Sequence, residues 1–339
     1  MISRRMFAKG AIKGALALAS VPVFARAAAA PRPFFIDSDT ASDDAVALIL
    51  AFAEPGIDIV GIGTVAGNVP LDSATQTALY VRELCRSKAP IHVGADRPLT
   101  RDLETAQDVH GKDGMGDVGL PIGGRKPDSE DAVGALIEAA RRHAGKLELV
   151  TLGPLTNIAV ALRRAPEIVK QIKSCTVMGG VSDYVGNITP VSEFNIWVDP
   201  EAAEITLRSG LAIDMVGWDI SRKYAVIDDN DAASLRAIGT ERAKVAVDCQ
   251  KVLRAFNERV SGLKGFDLPD PIAMAIALRP SIGTRRRQDH ASVLGGEGPT
   301  RGMVMFDESP IGPKGAQIGV VEEASRDGFM AMMREALAR

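Results

Sequence analysis

The sequence predicts an α/β protein built on an open, mostly parallel central sheet. Strand-length runs rich in Val, Ile and Leu alternate along the chain with longer segments of helical periodicity. Near-continuous apolar strands are typical of a parallel sheet that is covered by helices on both faces. Hydrophobic residues make up 46% of the 339 residues and aromatic residues only 4%, which predicts a core of Ala, Val, Ile and Leu. The expected architecture is therefore Rossmann-like.

The alternation is clearest at the start of this region. The apolar segment Pro33–Asp39 is predicted to be a buried strand, and it leads into the predicted helix Asp43–Glu54, which a Pro-Gly pair ends. A second strand, Ile57–Ala66, and a second helix, Leu71–Cys85, repeat the pattern. The stretch Pro98–Lys126 is rich in Gly, Asp and Lys and is predicted to be a surface loop.

The rest of the chain continues in the same way. Further strands are expected at Pro90–Ala95, Leu147–Gly153, Ser174–Gly180, Ile213–Asp219, Met303–Asp307 and Gln317–Val321. Further helices are expected at Ser129–Ala144, Asn157–Arg164, Pro200–Arg208, Asp231–Ala237, Arg242–Arg259, Pro271–Leu278 and Arg326–Ala338. Because no internal repeat and no Pro/Ser-rich linker interrupts the series, residues 31–339 are predicted to form a single domain.

The overall composition excludes several classes of protein. Charged residues make up 24% of the chain, a proportion typical of soluble globular proteins and not of disordered or polytopic membrane proteins. Lys and Arg number 40 and Asp and Glu 43, without a strongly basic stretch in the body of the chain, so a nucleic-acid partner is not expected. The three Cys lack the close spacing of a zinc knuckle.

Residues 1–30 are predicted to be a twin-arginine-type signal peptide. Arg4 and Arg5 resemble the bacterial twin-arginine export signal, and the apolar stretch Ala15–Phe24 and the small-x-small pattern at Ala25-Arg26-Ala27 follow them. We therefore expect a periplasmic or otherwise exported protein; a basic amphipathic N-terminal helix is the alternative. The apolar stretch is too short for a permanent membrane anchor.

An acidic cluster follows the first predicted strand. Asp37, Asp39, Asp43 and Asp44 place four carboxylates within eight residues, between a buried strand and a helix start. Four like charges this close repel one another unless a cation or shared protons compensate. Helix capping accounts for one or two of the acids but not for four. An oxygen-rich cluster without thiol or imidazole predicts a site for Ca²⁺ or Mg²⁺ rather than for zinc.

The segment from Asp37 to Ala45 resembles the DxDxxxDDAxA signature of the nucleoside hydrolases, the inosine-uridine preferring nucleoside hydrolase family, which cleave the N-glycosidic bond of nucleosides. Thr40-Ala41 stands where the family usually has Pro-Gly. The resemblance continues in order through Ala66-Gly67-Asn68, His110-Gly111-Lys112-Asp113-Gly114, Gly153-Pro154-Leu155-Thr156-Asn157, Met178-Gly179-Gly180, Asn187, Glu193-Phe194-Asn195, Asp199-Pro200-Glu201-Ala202-Ala203 and Asp270-Pro271.

The resemblance implies a nucleosidase that needs Ca²⁺. The residues that it implies for the ion are Asp39, Asp44, Asp270 and the backbone carbonyl of Leu152. It implies that Asp39 deprotonates the attacking water. For the ribose it implies Asp43 and Asn195 at the hydroxyls, with Asn68, Asn187, Glu193 and Met178 completing the pocket. Dimers or tetramers are also typical of the family, so a homo-oligomer is expected.

One position departs from the family pattern. Many members have a His directly before the last metal-binding Asp, where it acts on the leaving base, but this chain has Pro269, which cannot donate a proton. Three explanations remain open. In the first, another group supplies the proton, namely Asp267, His110 or Tyr224. In the second, the leaving base is a purine that becomes more basic by stacking on Tyr224, Phe256 or Phe266. In the third, the substrate carries a better leaving group than a pyrimidine. The second favours purine nucleosides.

Two further functions remain as alternatives. A hydrolase of another ribosyl compound on the same scaffold would also explain Pro269. A nucleoside- or ribose-binding protein without turnover would keep the sugar pocket but release no base. A purely structural calcium protein would leave Asn68, Asn187 and Asn195 without a purpose, so it is the weakest alternative.

Overall fold

The computed structural model describes residues 30–183, 185–307, 311 and 314–339. The predicted signal peptide, apart from residue 30, lies outside the described residues. The strands are β1 (Arg32–Ser38), β2 (Ile57–Thr64), β3 (Ile91–Val93), β4 (Leu147–Thr151), β5 (Ile172–Met178), β6 (Ile213–Val216), β7 (Val226–Ile227), β8 (Phe266–Asp267), β9 (Gly283–Val293), β10 (Val304–Phe306) and β11 (Ala316–Ala324).

The helices lie between these strands and at the end of the chain. They are α1 (Ser42–Ala53), α2 (Leu71–Leu84), α3 (Gln107–His110), α4 (Ala132–Arg142), α5 (Thr156–Arg164), α6 (Phe194–Val198), α7 (Pro200–Leu207), α8 (Trp218–Tyr224), α9 (Asp229–Arg236), α10 (Glu241–Asp248), α11 (Lys251–Ser261), α12 (Pro269–Leu278) and α13 (Arg326–Leu337). Short 3₁₀ turns occupy Pro166–Lys170 and Pro280–Ile282.

The central sheet has nine strands in the order β10-β9-β11-β6-β5-β4-β1-β2-β3. All pairings from β11 to β3 are parallel, and only β9 runs antiparallel to its neighbours β10 and β11. The predicted mostly parallel sheet is confirmed. The chain moves outward from β1 through β2 to β3 and then returns to β4 on the other side of β1. This reversal makes the carboxyl ends of β1 and β4 the topological switch point, where open α/β sheets bind ligands.

Helices cover both faces of the sheet, as the apolar strands predict. Phe34 and Ile36 of β1 are fully buried in one hydrophobic cluster with helices α1, α12 and α13. Phe35 points to the opposite face and is buried with helices α4, α5 and α7. Residues Pro31–Arg339 form one compact unit. None of the helices in the described part of the chain combines the length and the apolar character needed to cross a membrane.

Three of the predicted segments differ from the structure, and α6, β7, β8 and β9 were not predicted. The helix expected at Arg242–Arg259 is two helices, α10 and α11, and Gln250 at the break donates from Nε2 to the carbonyl oxygen of Ser42 at 2.7 Å. The strand expected at Ile213–Asp219 ends at Val216, and helix α8 begins at Trp218. The loop expected at Pro98–Lys126 contains the short helix α3.

Strand β9 was not predicted at all, because its arginines hide the apolar alternation of a strand. Arg285 and Arg287 pair with Glu322 on the adjacent strand β11, and Arg287 also pairs with Asp289 on β9 itself. Arg286 pairs with Asp214 on β6. Most of these partners are distant in sequence, so sequence periodicity does not include them.

Candidate active site at the carboxyl edge of the sheet

The acidic cluster lies at the switch point of the sheet. Strand β1 ends at Ser38 and helix α1 begins at Ser42. Asp39 in the turn between them and Asp43 and Asp44 in the first turn of α1 therefore lie at the carboxyl edge of the sheet. Asp44 accepts hydrogen bonds from Ser38 Oγ at 2.7 Å and from the Ala41 backbone N–H at 2.9 Å. This side chain therefore caps its own helix, as carboxylates at a helix N-terminus commonly do.

Three carboxylates meet in the interior. Asp43 and Asp44 in the first turn of α1 and Asp270 in the first turn of α12 each place an oxygen within 4.8 Å of the others. Asp39 lies next to them. Its Oδ2 accepts a 2.6 Å hydrogen bond from the Asn68 backbone N–H, and the Asn68 side chain donates to Asp44 at 3.5 Å. Residues that are far apart in sequence therefore converge around one point.

The protein cradles the Asp39 carboxylate closely. A Cβ on Gly67 would lie 2.2 Å from its Oδ2, and a Cβ on Gly153 would lie 2.7 Å from its Oδ1. Both positions therefore require glycine because the backbone approaches the carboxylate, not because of an unusual φ. The orientation of Asp39 is fixed by this packing.

Burial and mutual repulsion make the ionised cluster unfavourable in the absence of a cation. Burial raises the pKa of Asp43 and of Asp44 to about 6, and the charge of Asp43 contributes to the rise in the pKa of Asp44. Burial, followed by the neighbouring carboxylates, raises the pKa of Asp39 and of Asp270 well above the ordinary value. Asp39 Oδ1 and Asp43 Oδ1 are buried without a hydrogen-bond partner among the described residues. These hard oxygen donors fit a divalent metal ion.

The Leu152 carbonyl also reaches this region. It follows β4 directly, and its oxygen accepts a 2.7 Å hydrogen bond from Asn195 Nδ2. The same Nδ2 lies 3.3 Å from Met178 Sδ. A carbonyl oxygen has two lone pairs, so this bond leaves one free for a second partner.

Glu193 organises the segment that carries Asn195. It caps helix α6 and accepts hydrogen bonds from the backbone N–H groups of Gly180 at 2.9 Å, Asn195 at 2.8 Å and Ile196 at 3.3 Å. Burial raises its pKa to about 7 despite these bonds. The side chain of Asn187 accepts from the Phe194 N–H at 2.9 Å and completes this polar wall.

A cavity of about 340 Å³ opens over the carboxylates, a size within the range of small-molecule sites. Its polar end is lined by the residues that the sequence predicted for the sugar, namely Asp43, Asn68, Met178, Asn187, Glu193 and Asn195, together with Asp270. Asp39, Asp44 and Leu152 do not line the cavity and lie behind this wall. The arrangement places a carboxylate cluster that fits a metal ion beneath a pocket rich in amides and carboxylates.

The other end of the cavity is more apolar and contains one polar network. Val109, Leu253 and Phe256 are part of its lining, whereas His110 lies beside the carboxylates, with its Nδ1 3.6 Å from Asp43 Oδ1. At the centre of the network Asp267 accepts hydrogen bonds from Trp218 Nε1 at 2.8 Å and from Asn257 Nδ2 at 3.2 Å.

Two further donors to Asp267 are Ser221 Oγ at 3.1 Å and Arg222 at 3.4 Å. Sequence reasoning missed Trp218, Arg222 and Asn257 as site residues. No local pattern identifies them, because helices α8 and α11 meet strand β8 only in the folded chain.

The structure shows which of the candidate proton donors and stacking rings, considered because Pro269 replaces the usual His, lie at the cavity. Asp267 and His110 line the cavity, whereas Tyr224 does not. Burial lowers the pKa of His110 to about 4, and its Nδ1 lies 3.0 Å from Ser42 Oγ. At neutral pH its imidazole is therefore uncharged. Of the aromatic rings considered for stacking, Phe256 lines the cavity but Phe266 does not, because Phe266 packs into the core.

Comparison with known proteins places the chain among enzymes of one family. The family model for inosine-uridine preferring nucleoside hydrolase matches residues 34–331. A pyrimidine-specific ribonucleoside hydrolase of Shewanella sp. (strain ANA-3) is 35% identical over 310 residues, which cover 91% of this chain and 96% of the relative.

Two solved structures share the fold over nearly their whole length. A plant nucleoside hydrolase, PpNRh1, superposes with a TM-score of 0.86 at 28% identity and covers 91% of this chain and 99% of its own. A purine-preferring ribonucleoside hydrolase from Gardnerella vaginalis gives a TM-score of 0.83 at 29% identity, with coverage of 91% and 98%.

Proposed function

Because the chain belongs to the inosine-uridine preferring nucleoside hydrolase family and is a ribonucleoside hydrolase, we propose that its reaction takes place in the cavity above the carboxylate cluster. The products are a free base and ribose. The observation that carries this proposal is the convergence of buried Asp43, Asp44 and Asp270 directly beneath an amide-lined pocket.

The polar end of the cavity binds the ribose. Asp43 and Asn195 hold ribose hydroxyls, and Asn68, Asn187, Glu193 and Met178 surround the ring. Cleavage of the C1′–N bond builds positive charge on the sugar, and carboxylates and amide oxygens stabilise that charge better than they stabilise the neutral substrate. Asp39 accepts the proton of the attacking water, since its Oδ1 has no other partner among the described residues.

The ion that this cluster suits is Ca²⁺. Asp39, Asp44 and Asp270 with the Leu152 carbonyl would hold it, and the unpartnered buried oxygens and raised pKa values support a cation there. A bound hard cation supplies charge compensation, orients the ribose diol and acidifies water.

We propose a preference for purine nucleosides. Pro269 removes the usual proton donor, and Trp218 and Phe256 offer aromatic surface at the apolar end of the cavity. The alternative is a pyrimidine nucleoside, which is favoured by the 35% identity to a pyrimidine-specific relative. We expect residues 1–30 to direct export, which cell fractionation of R4K/R5K variants tests. We also expect dimers or tetramers, which light scattering tests.

Release of reducing sugar tests the whole proposal. The purified protein is incubated with inosine, guanosine, adenosine, uridine and cytidine, with calcium or with a chelator. We expect base and ribose in equal amounts, faster release from the purines, and loss of activity with the chelator that calcium restores. Tight nucleoside binding without any base release would contradict the proposal, and faster release from uridine than from inosine would overturn the purine preference.

A further inference from the structure

The leaving base needs stabilisation that the expected groups do not provide. Pro269 has no proton to give, and His110 is buried with its Nδ1 3.0 Å from Ser42 Oγ. Asp267 lines the cavity, but Trp218, Ser221, Arg222 and Asn257 already donate to its two oxygens. With four donors directed at its oxygens, Asp267 acts as an acceptor in this arrangement and not as a donor to the base.

Arg222 lies in the wall of the same cavity. Its guanidinium lies 3.4 Å from Asp267 Oδ1 and 5.2 Å from the centre of the Trp218 ring, over its face. The side chains of Arg222 and Asp267 are only 12% and 5% exposed. A guanidinium has five N–H donors, and among the described residues Asp267 is its one hydrogen-bond acceptor. The remaining donors are therefore available to a molecule in the cavity.

We propose that Arg222 binds the leaving base directly, takes the place of the missing proton donor and selects bases that carry an oxo group. This inference rests on the proposed nucleoside hydrolysis. Asp267 and Trp218 position the guanidinium, the first as its ionic partner and the second as the surface on which it lies.

The chemistry requires no proton donor in the protein. When the C1′–N bond breaks, its electron pair moves to the base, and the N–H groups of Arg222 donate to the base atoms on which that negative charge accumulates. Water adds to C1′ and loses its proton to Asp39, and the departing base takes up a proton from solvent. One water molecule is consumed for each ribose and each neutral base released.

Because a guanidinium can only donate hydrogen bonds, Arg222 should favour bases that present acceptor atoms to it. O6 and N7 of hypoxanthine or guanine together accept two parallel N–H groups, which is the arrangement that arginine uses to recognise guanine. Adenine presents an amino group at the position of O6, which cannot accept from a guanidinium. A glutamine or asparagine amide instead matches the N6/N7 edge of adenine.

The leaving-group test compares R222M with wild type on inosine and on 4-nitrophenyl riboside. Nitrophenolate leaves readily without help, so R222M should lower kcat for inosine by about 100-fold, the usual effect of losing one charge-stabilising donor, and affect the nitrophenyl substrate far less. R222K, which keeps the charge, should recover part of the loss. R236M serves as the matched control, because Arg236 is an exposed arginine that pairs with Asp248 on the surface.

The specificity test uses R222Q. The ratio of kcat/KM for inosine to that for adenosine should fall by about tenfold or more, because the amide matches adenine. Equal losses on inosine and nitrophenyl riboside, or an unchanged inosine-to-adenosine ratio in R222Q, would overturn the role of Arg222. Wild-type protein that cleaves neither substrate would instead overturn the proposed function. If R222M does not fold, as judged by circular dichroism, R222K and R222Q decide the question.

Discussion

Removal of one carboxylate from the buried cluster should stabilise the metal-free protein and weaken its response to calcium. The perturbation is D270N, which keeps the size of the side chain but removes a charge that faces Asp43 and Asp44. Burial, followed by the charges of Asp44, Asp43 and Asp39, raises the pKa of Asp270 well above the ordinary value, so its ionised form destabilises the folded protein at neutral pH. The amide of D270N is also buried but carries no charge, so the electrostatic part of this penalty disappears with the substitution.

The expected net gain is about 1–3 kcal/mol, which corresponds to a rise in Tm of about 2–5 °C for a domain of this size. The assay is thermal unfolding of wild type and D270N near neutral pH, in chelator and in calcium. In chelator D270N should melt higher, whereas calcium should raise the Tm of wild type much more than that of the variant.

D72N is the matched control, because Asp72 is also the second residue of a helix but is exposed. It should lose about 0.3–1 kcal/mol of favourable interaction with the helix dipole in either buffer. If D270N melted below wild type in chelator, as D72N is expected to do, the cluster would not be a site of electrostatic repulsion.

Three further outcomes are expected. In chelator, the Tm of wild type should rise as the pH falls from about 7 towards 5. The pKa values of Asp43 and Asp44 are higher in the folded protein than in the unfolded chain, so protonation removes the destabilisation caused by their buried charges. Calcium should abolish this rise, and a Tm that falls over that range in chelator would contradict the prediction. G153A should cost about 1–3 kcal/mol and at least tenfold in kcat, since its Cβ would meet Asp39, whereas G123A, in open space, should change neither; equal kcat values for the two variants would refute this. P269H should raise kcat/KM for uridine relative to inosine by restoring a proton donor next to the cavity, and an unchanged ratio would argue against the importance of that position.

The core of the site follows from local sequence. Asp37 to Asp44 sit between an apolar strand and a helix start, and the carboxyl ends of parallel strands must share one edge of the sheet. This rule and the resemblance to a known family predicted the residues of the sugar pocket, and the structure places those residues around one cavity. Local pattern alone identified the acids from Asp37 to Asp44, whereas Asn68, Met178, Asn187, Glu193 and Asn195 came from the family resemblance.

The far end of the cavity could not be predicted in this way. Asp267 was a candidate from the sequence, but Arg222 on α8 and Asn257 on α11 carry no local signal and meet it only because separate elements pack together. Tyr224 and Phe266 were proposed from their residue type alone, yet neither lines the cavity. Strand β9 was missed for a similar reason, because its arginines are neutralised by partners that are distant in sequence.

The most direct measurement is a crystal structure of the protein soaked with calcium and ribose. It should show one ion bound by carboxylate oxygens of Asp39, Asp44 and Asp270, with the Leu152 carbonyl beside it and ribose hydroxyls near Asp43 and Asn195. Absence of an ion among those three carboxylates at saturating calcium, or ribose bound elsewhere, would contradict the proposal that buried acids hold a cation against the sugar.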